Sequence, residues 1–117
     1  TRRVAELLQQ ELGPMIQREL RDPRLAWVSI LSVDVAPDLR SAEVRYSCMP
    51  DTEAEEDREE VQASLERAAG YLKGQLSRRL TLRNVPELRF VYDDALERGD
   101  RINRLLRSLS NGESNGE

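Results

Sequence analysis

Val61, Leu65, Ala68 or Ala69, Leu72, Leu76 and Leu80 recur three or four residues apart, which places them along one stripe of a long helix. A stripe of that length faces a core, so the rest of the chain must supply a layer to cover it. Arg67, Lys73, Arg78, Arg79 and Arg83 reach outward from the same segment. Gly70, at the end of Ala68-Ala69-Gly70, interrupts the stripe. A glycine inside a helix costs about 1 kcal/mol relative to alanine, so its presence predicts a bend there or a close approach to the backbone.

Alternation of apolar and polar residues supplies the covering layer. Val28 to Val35 is rich in β-branched residues, and Ala42, Val44, Tyr46 and Cys48 alternate with Glu43, Arg45 and Ser47, giving two strands joined through Pro37-Asp38 as an antiparallel hairpin. The adjacent pair Ile30-Leu31 breaks the alternation and predicts a bulge or a segment covered on both faces. Leu88, Phe90 and Tyr92 form a third strand. Ahead of the hairpin, Val4, Leu7, Leu8, Leu12, Met15, Ile16 and Leu20 mark an amphipathic helix. It carries Gly13-Pro14, where a kink or short break is expected, and it should end at Asp22-Pro23. Asp51 or Thr52 is expected to cap the long helix, which bends at Gly70, runs to about Leu82 and is closed by Asn84 and Pro86. Asp94 and Glu97 resemble a capping box for a last helix through Ile102, Leu105, Leu106 and Leu109.

The expected fold is therefore α+β, in the order helix, strand, strand, helix, bent helix, strand, with helices on one face of a three-stranded sheet and one more helix at the end. Residues 1–109 form one domain. The tail 110–117, with nothing to bury, is expected to be disordered.

Composition removes several functions. The 117 residues include no histidine and one cysteine, so the commonest general base, the commonest metal ligand and any zinc cluster are missing. No catalytic residues, metal or cofactor are expected. Asp93-Asp94 is the one pair suggestive of acid–base or Mg²⁺ chemistry, and it stands alone, so capping is its expected role. Lone Cys48 reads as core filler, and with no apolar leader or membrane span at the start, a reducing, cytoplasmic-type compartment follows. The chain begins without methionine, which suggests that a few leading residues are missing.

The net charge of −4 hides a polarised distribution. Between Asp51 and Glu66 eight acids face the single Arg58, a net of −7, which leaves the rest of the chain at +3. From Arg67 to Arg89 six bases face Glu87 alone. Such a distribution suits a partner rich in phosphate better than the net charge suggests. Arg67, Lys73, Arg78, Arg79 and Arg83 are the candidate RNA-binding residues, with Arg2 and Arg3 as auxiliaries. With aromatics at 4%, a base-stacking sheet is not expected. Tyr71 and Trp27 are expected to pack, Trp27 anchoring the hairpin to a helix. Arg101, Arg104 and Arg107 interleave with Asp94, Glu97 and Asp100, which predicts local ion pairs.

The element order is similar to a type II KH domain (α-β-β-α-kink-α-β), and several pieces together carry a closer likeness: R-V-A-E-L-L at the start, I-Q-R-E-L-R-D-P-R-L around Arg24, V-D-V-A-P-D-L between the strands, A-A-G at the helix joint, and L-R-N-V-P-E-L-R-F-V-Y-D-D-A-L-E-R-G-D-R-I-N-R-L-L. In this combination the chain resembles the ribosome-binding factor A family over nearly its whole length. It departs from that family's pattern at Gly13-Pro14, and it lacks the Gly-x-x-Gly clamp of ordinary KH domains. The resemblance implies a monomeric, non-catalytic factor that binds the small ribosomal subunit through its rRNA in late maturation and supports growth in the cold. It also implies ribosomal proteins or a maturation GTPase as further partners. The rival expectation is a protein-interaction module that uses the acidic helix and Trp27.

Overall fold

The computed structural model describes residues 2–48 and 55–115, with the side chains of 55–56, 95–97, 100 and 111–115 outside the description. Helix α1 (Arg2–Pro14) passes into a π-helical turn, Met15–Glu19, and a 3-10 turn at Pro23–Leu25 leads into strands β1 (Val28–Val35) and β2 (Ser41–Cys48). Helix α2 (Glu55–Arg79), strand β3 (Glu87–Tyr92) and helix α3 (Ala95–Asn115) complete the chain. The architecture is α+β and KH-like, with sheet order β1-β2-β3. The pair β1–β2 is antiparallel and β2–β3 is parallel. A long helical crossover between parallel neighbours is what a strand–helix–strand sequence demands.

One face of the sheet is buried. Ala42, Val44, Tyr46 and Cys48 of β2 and Leu88 and Phe90 of β3 meet Leu8, Leu12, Met15 and Ile16 from the first helical segment, and Val61, Leu65, Leu72 and Leu76 from α2. The period-2 and period-3.6 patterns thus converge on one core, with Cys48 inside it as expected. The predicted irregularity in β1 is a shift of register between Ile30 and Ser32, which leaves Leu31 without a partner on β2.

Three local features differ from the expectation or sharpen it. The first helix does not break at Gly13; it continues through Pro14 and widens into the π turn immediately after it. Proline at 14 has no amide hydrogen and crowds the carbonyl four residues back, and a wider turn relieves both problems without ending the helix. Secondly, the joint Ala68-Ala69-Gly70, where a bend is expected, leaves α2 unbroken, because buried Leu65, Leu72 and Leu76 on either side outweigh the local cost of the glycine. Thirdly, the indole of Trp27 is 62% exposed, so it anchors nothing; Val28, the next residue, takes the buried place.

Asp22-Pro23 behaves as the sequence predicts. Asp22 is extended (φ −104°, ψ 116°), and its carboxylate accepts from the Arg24 backbone N–H at 3.0 Å, capping the short turn. The Arg24 guanidinium closes on the same carboxylate at 3.1 Å and reaches Glu60 of α2 at 3.4 Å. Hydrogen bonding from Arg24 holds the Asp22 carboxyl below its ordinary range. The proposed caps Asp51 and Thr52 lie outside the described residues. Asp94 directly precedes α3 and pairs with Arg98 at 2.9 Å; the side chain of Glu97 lies outside the description.

Helix α3 runs past Leu109 to Asn115, into the segment 110–117 for which a disordered tail is expected. It stands away from the sheet: Ile102, Leu105, Leu106 and Leu109 are all more than half exposed. The radius of gyration is 17.5 Å, against roughly 13 Å for a compact domain of similar length. Among the described residues no helix is long and apolar enough to cross a membrane.

Candidate nucleic-acid interface

Parallel pairing of β2 with β3 sets Ser41 opposite Glu87. This register brings the hairpin turn before Ser41 beside the loop that enters β3. The Glu87 N–H donates to the Arg40 carbonyl at 2.9 Å, fastening the two together. The turn itself is pinned: the Leu39 N–H donates to the Ala36 carbonyl at 2.8 Å, and the Arg40 N–H to the Asp38 carboxylate at 3.0 Å. Leu39 is held at φ 63°, a left-handed conformation that a branched side chain seldom adopts.

Between this turn, the second half of α2 and the loop 80–86 lies a groove of about 880 Å³. Lys73 and Arg83 line it together with Arg40, and Asp38 is the one acid among its lining residues. All three cations are exposed. Among the described residues none of the three has an ion-pair partner within 4 Å, while Asp38 is engaged by the backbone of its own turn. Gly70 and Gly74 form part of the α2 wall, and a Cβ built at either meets nothing within 4 Å. The open space there lets a ligand come down to the helix backbone.

The other sequence-predicted cations do not share the groove. At about 100° per residue, Arg78 is turned roughly 140° from Lys73 around α2. Arg67 donates to Ser64 Oγ at 3.2 Å and lines a smaller notch with Leu20, Asp22, Leu25 and Ala68. Arg79 is tied to Glu19 of the π turn, and that hydrogen bond raises its pKa above the ordinary value. It joins α2 to the first helical segment. Arg78 and Arg79 also sit in the last turn of α2, where cations complement the helix dipole. Arg2 pairs with Glu6 at 3.5 Å, and Arg3 is exposed on α1. The expected ridge of five cations is thus divided: Lys73 and Arg83 converge, while Arg67, Arg78 and Arg79 face other directions. Arg40 is the cation that sequence reasoning missed. The signal for it was the crossover itself, since a parallel β2–β3 pair obliges the hairpin turn to sit beside the α2–β3 loop.

Most acids of α2 are kept apart from the groove by the length of the helix. Asp57 and Lys73 are sixteen residues apart, about 24 Å along the helix at 1.5 Å per residue, some three times the Debye length of about 8 Å at physiological salt. The acids from Asp57 to Glu60 therefore do little to weaken an anion bound beside Lys73, whereas Glu66, seven residues away or about 10 Å along the helix, lies near one Debye length. Tyr71 is 49% exposed, half-buried beside the leucine stripe as expected. Asp94, held by Arg98, forms no group of three with other acids, and among the described residues no cluster suited to a metal ion occurs.

A family model described as ribosome-binding factor A matches residues 1–106. The chain belongs to the ribosome-binding factor A family. It is 46% identical to the ribosome-binding factor A of Nitrosococcus oceani over 116 residues, covering 99% of this chain and 89% of that one. With the Coxiella burnetii factor the identity is 41% over 113 residues, covering 96% and 92%. Among solved structures, the crystal structure of ribosome-binding factor A from Thermus thermophilus superposes with a TM-score of 0.65 at 26% identity, over 78% of this chain and 93% of that one. A homology model of the Thermus factor, as fitted into a cryo-EM map of a 30S–ribosome-binding factor A complex, gives 0.63 at 28% identity, over 77% and 91%. In this member of the ribosome-binding factor A family, the groove of Arg40, Lys73 and Arg83 is where described cations converge on an open helix face.

Proposed function

We propose that this chain is a non-catalytic assembly factor of the small ribosomal subunit, acting in the cytoplasm as a monomer. It grips rRNA through the groove of Lys73, Arg83 and Arg40 and assists late maturation of 16S-type rRNA. Residues 1–109 act as its single RNA-binding domain. The convergence of three cations, without ion-pair partners among the described residues, on a helix face opened by Gly70 and Gly74 carries this reading, and the Thermus relative's 30S complex supports the choice of partner. Arg3 and Arg78 lie outside the groove and add only diffuse attraction for phosphate, whereas Arg79 serves the fold.

Retention on purified small subunits tests it. Three phosphate contacts predict that log affinity falls with log salt at a slope of about −2 to −3; retention indifferent to salt would remove phosphate from the interface. Gly70→Ala and Gly74→Ala supply a second measurement. Each is expected to raise stability by about 0.5–1 kcal/mol, since neither added methyl meets a neighbour, and to weaken retention by narrowing the groove. Unchanged retention in the stabilised pair would show that RNA does not approach the helix there.

The exposure of Trp27 favours a second reading, in which a protein partner docks on Trp27 and the acidic first half of α2. Ultraviolet crosslinks on assembled particles that map only to proteins would select it over the first.

A further inference from the structure

Ile102, Leu105, Leu106 and Leu109 follow the spacing i, i+3, i+4, i+7 on α3 and are 57%, 60%, 57% and 57% exposed. The domain core is already closed by α1 and α2, so this stripe has no role in it. Aliphatic side chains displayed in that pattern are the anchors of a helix that lies in an apolar groove of another protein.

The choice of occupant follows from charge and area. From Arg98 to Ser110 the sequence holds four arginines, at 98, 101, 104 and 107, against Asp100 alone. At about 100° per residue, Arg101 flanks Leu105 by roughly 40°, while Arg104 and Arg107 lie round the far side. α3 as a whole carries only +1, with Glu97, Asp100 and Glu113 toward its ends. The span of the stripe, 101–109, nevertheless holds three arginines and no acid, so a second copy would set two cationic segments against each other. It would also bury on the order of a few hundred Å² per copy, short of the roughly 800 Å² per partner of a standard interface. A groove that encloses the helix on both sides gains more area from the same stripe and, if its walls carry carboxylates, matches Arg101. RNA offers phosphates and base edges, neither of which accommodates four aliphatic side chains.

We infer that α3 is a docking helix whose stripe Ile102, Leu105, Leu106 and Leu109 seats in an apolar, carboxylate-walled groove of a protein on the small-subunit particle. The inference rests on the proposed small-subunit reading and adds a protein contact, separate from the rRNA groove, about a different element. The test uses the full chain and purified small subunits. Leu105→Glu/Leu106→Glu is expected to leave the thermal midpoint unchanged, because both side chains are exposed, and to weaken retention at least tenfold. A photocrosslinking residue at position 106 should label a subunit protein at an apolar segment bearing Asp or Glu. Labelling of rRNA, of a second copy or of the chain's own body overturns the inference, as does equal retention of the glutamate variant. If the unaltered chain itself is not retained, the small-subunit reading falls instead, so the two failures are distinct.

Discussion

Lys73→Glu/Arg83→Glu is expected to release the protein from small ribosomal subunits at physiological salt, weakening binding by roughly 2–4 kcal/mol. Each cation loses a charge-assisted contact worth about 1.5–3 kcal/mol, part of which remains as water-mediated contact. The salt slope should also become shallower by about two contacts. Because both side chains are exposed and have no ion-pair partner among the described residues, the thermal midpoint should not move, and the loss is one of binding alone. Arg78→Glu is the informative control. It removes the same charge from the same helix but from a direction turned well away from the groove, so its effect should stay within a fewfold. Equal losses from Arg78→Glu and from Lys73→Glu would mean that the whole cationic half of α2 acts as an undirected field and that the groove has no special place. Arg79→Glu belongs to another class, since it sets a second carboxylate against Glu19; any weakening there should accompany a lowered thermal midpoint.

The division between these residues explains what the sequence could and could not reveal. Elements set by local periodicity were legible: the strands around Val33, Val44 and Phe90, the striped helix from Val61 to Leu76, even the irregularity at Ile30-Leu31. Each depends on which side chains must be buried, and burial has a period that a sequence displays. Arg40 was not legible as a site residue because its place depends on strand pairing between β2 and β3, separated by the whole of α2. Arg79 looked identical to Lys73 as a cation on a helix, yet Glu19, sixty positions away, claims it. Gly13-Pro14 and Gly70 illustrate a different limit. Local propensity opposes a helix at both points, and tertiary burial of Leu12, Met15, Leu72 and Leu76 prevails. Trp27 fails for a third reason: its size predicts burial on average, but the alternation of β1 turns Val28 inward and leaves the indole at the surface.

Gln62→Leu is expected to destabilise the domain by roughly 2–4 kcal/mol, a fall of about 10–20 °C in the thermal midpoint. Half-buried Gln62 connects three elements: its Oε1 accepts from the fully buried Tyr46 hydroxyl of β2, and its Nε2 donates to the Phe90 carbonyl of β3 at 2.7 Å and to Glu66 at 2.9 Å. Leucine fills similar space but leaves the hydroxyl and the carbonyl without those partners, and the cost of a buried polar group left unmet exceeds the net worth of the bond it lost. This reasoning makes a sharper claim about the pair. Tyr46→Phe alone should cost less, because water reaches the half-exposed amide, and Tyr46→Phe/Gln62→Leu should be more stable than Gln62→Leu by about 1 kcal/mol, since the stranded hydroxyl is gone. Strictly additive losses in urea unfolding would show that the two groups do not act together. The same variants separate fold from function: Gln62 fastens α2 to the sheet far from Lys73 and Arg83, so once the folded fraction is accounted for, Gln62→Leu should bind small subunits as the unaltered chain does. Losing affinity beyond that fraction would mean that the groove's walls depend on this junction for their spacing as well as for their stability.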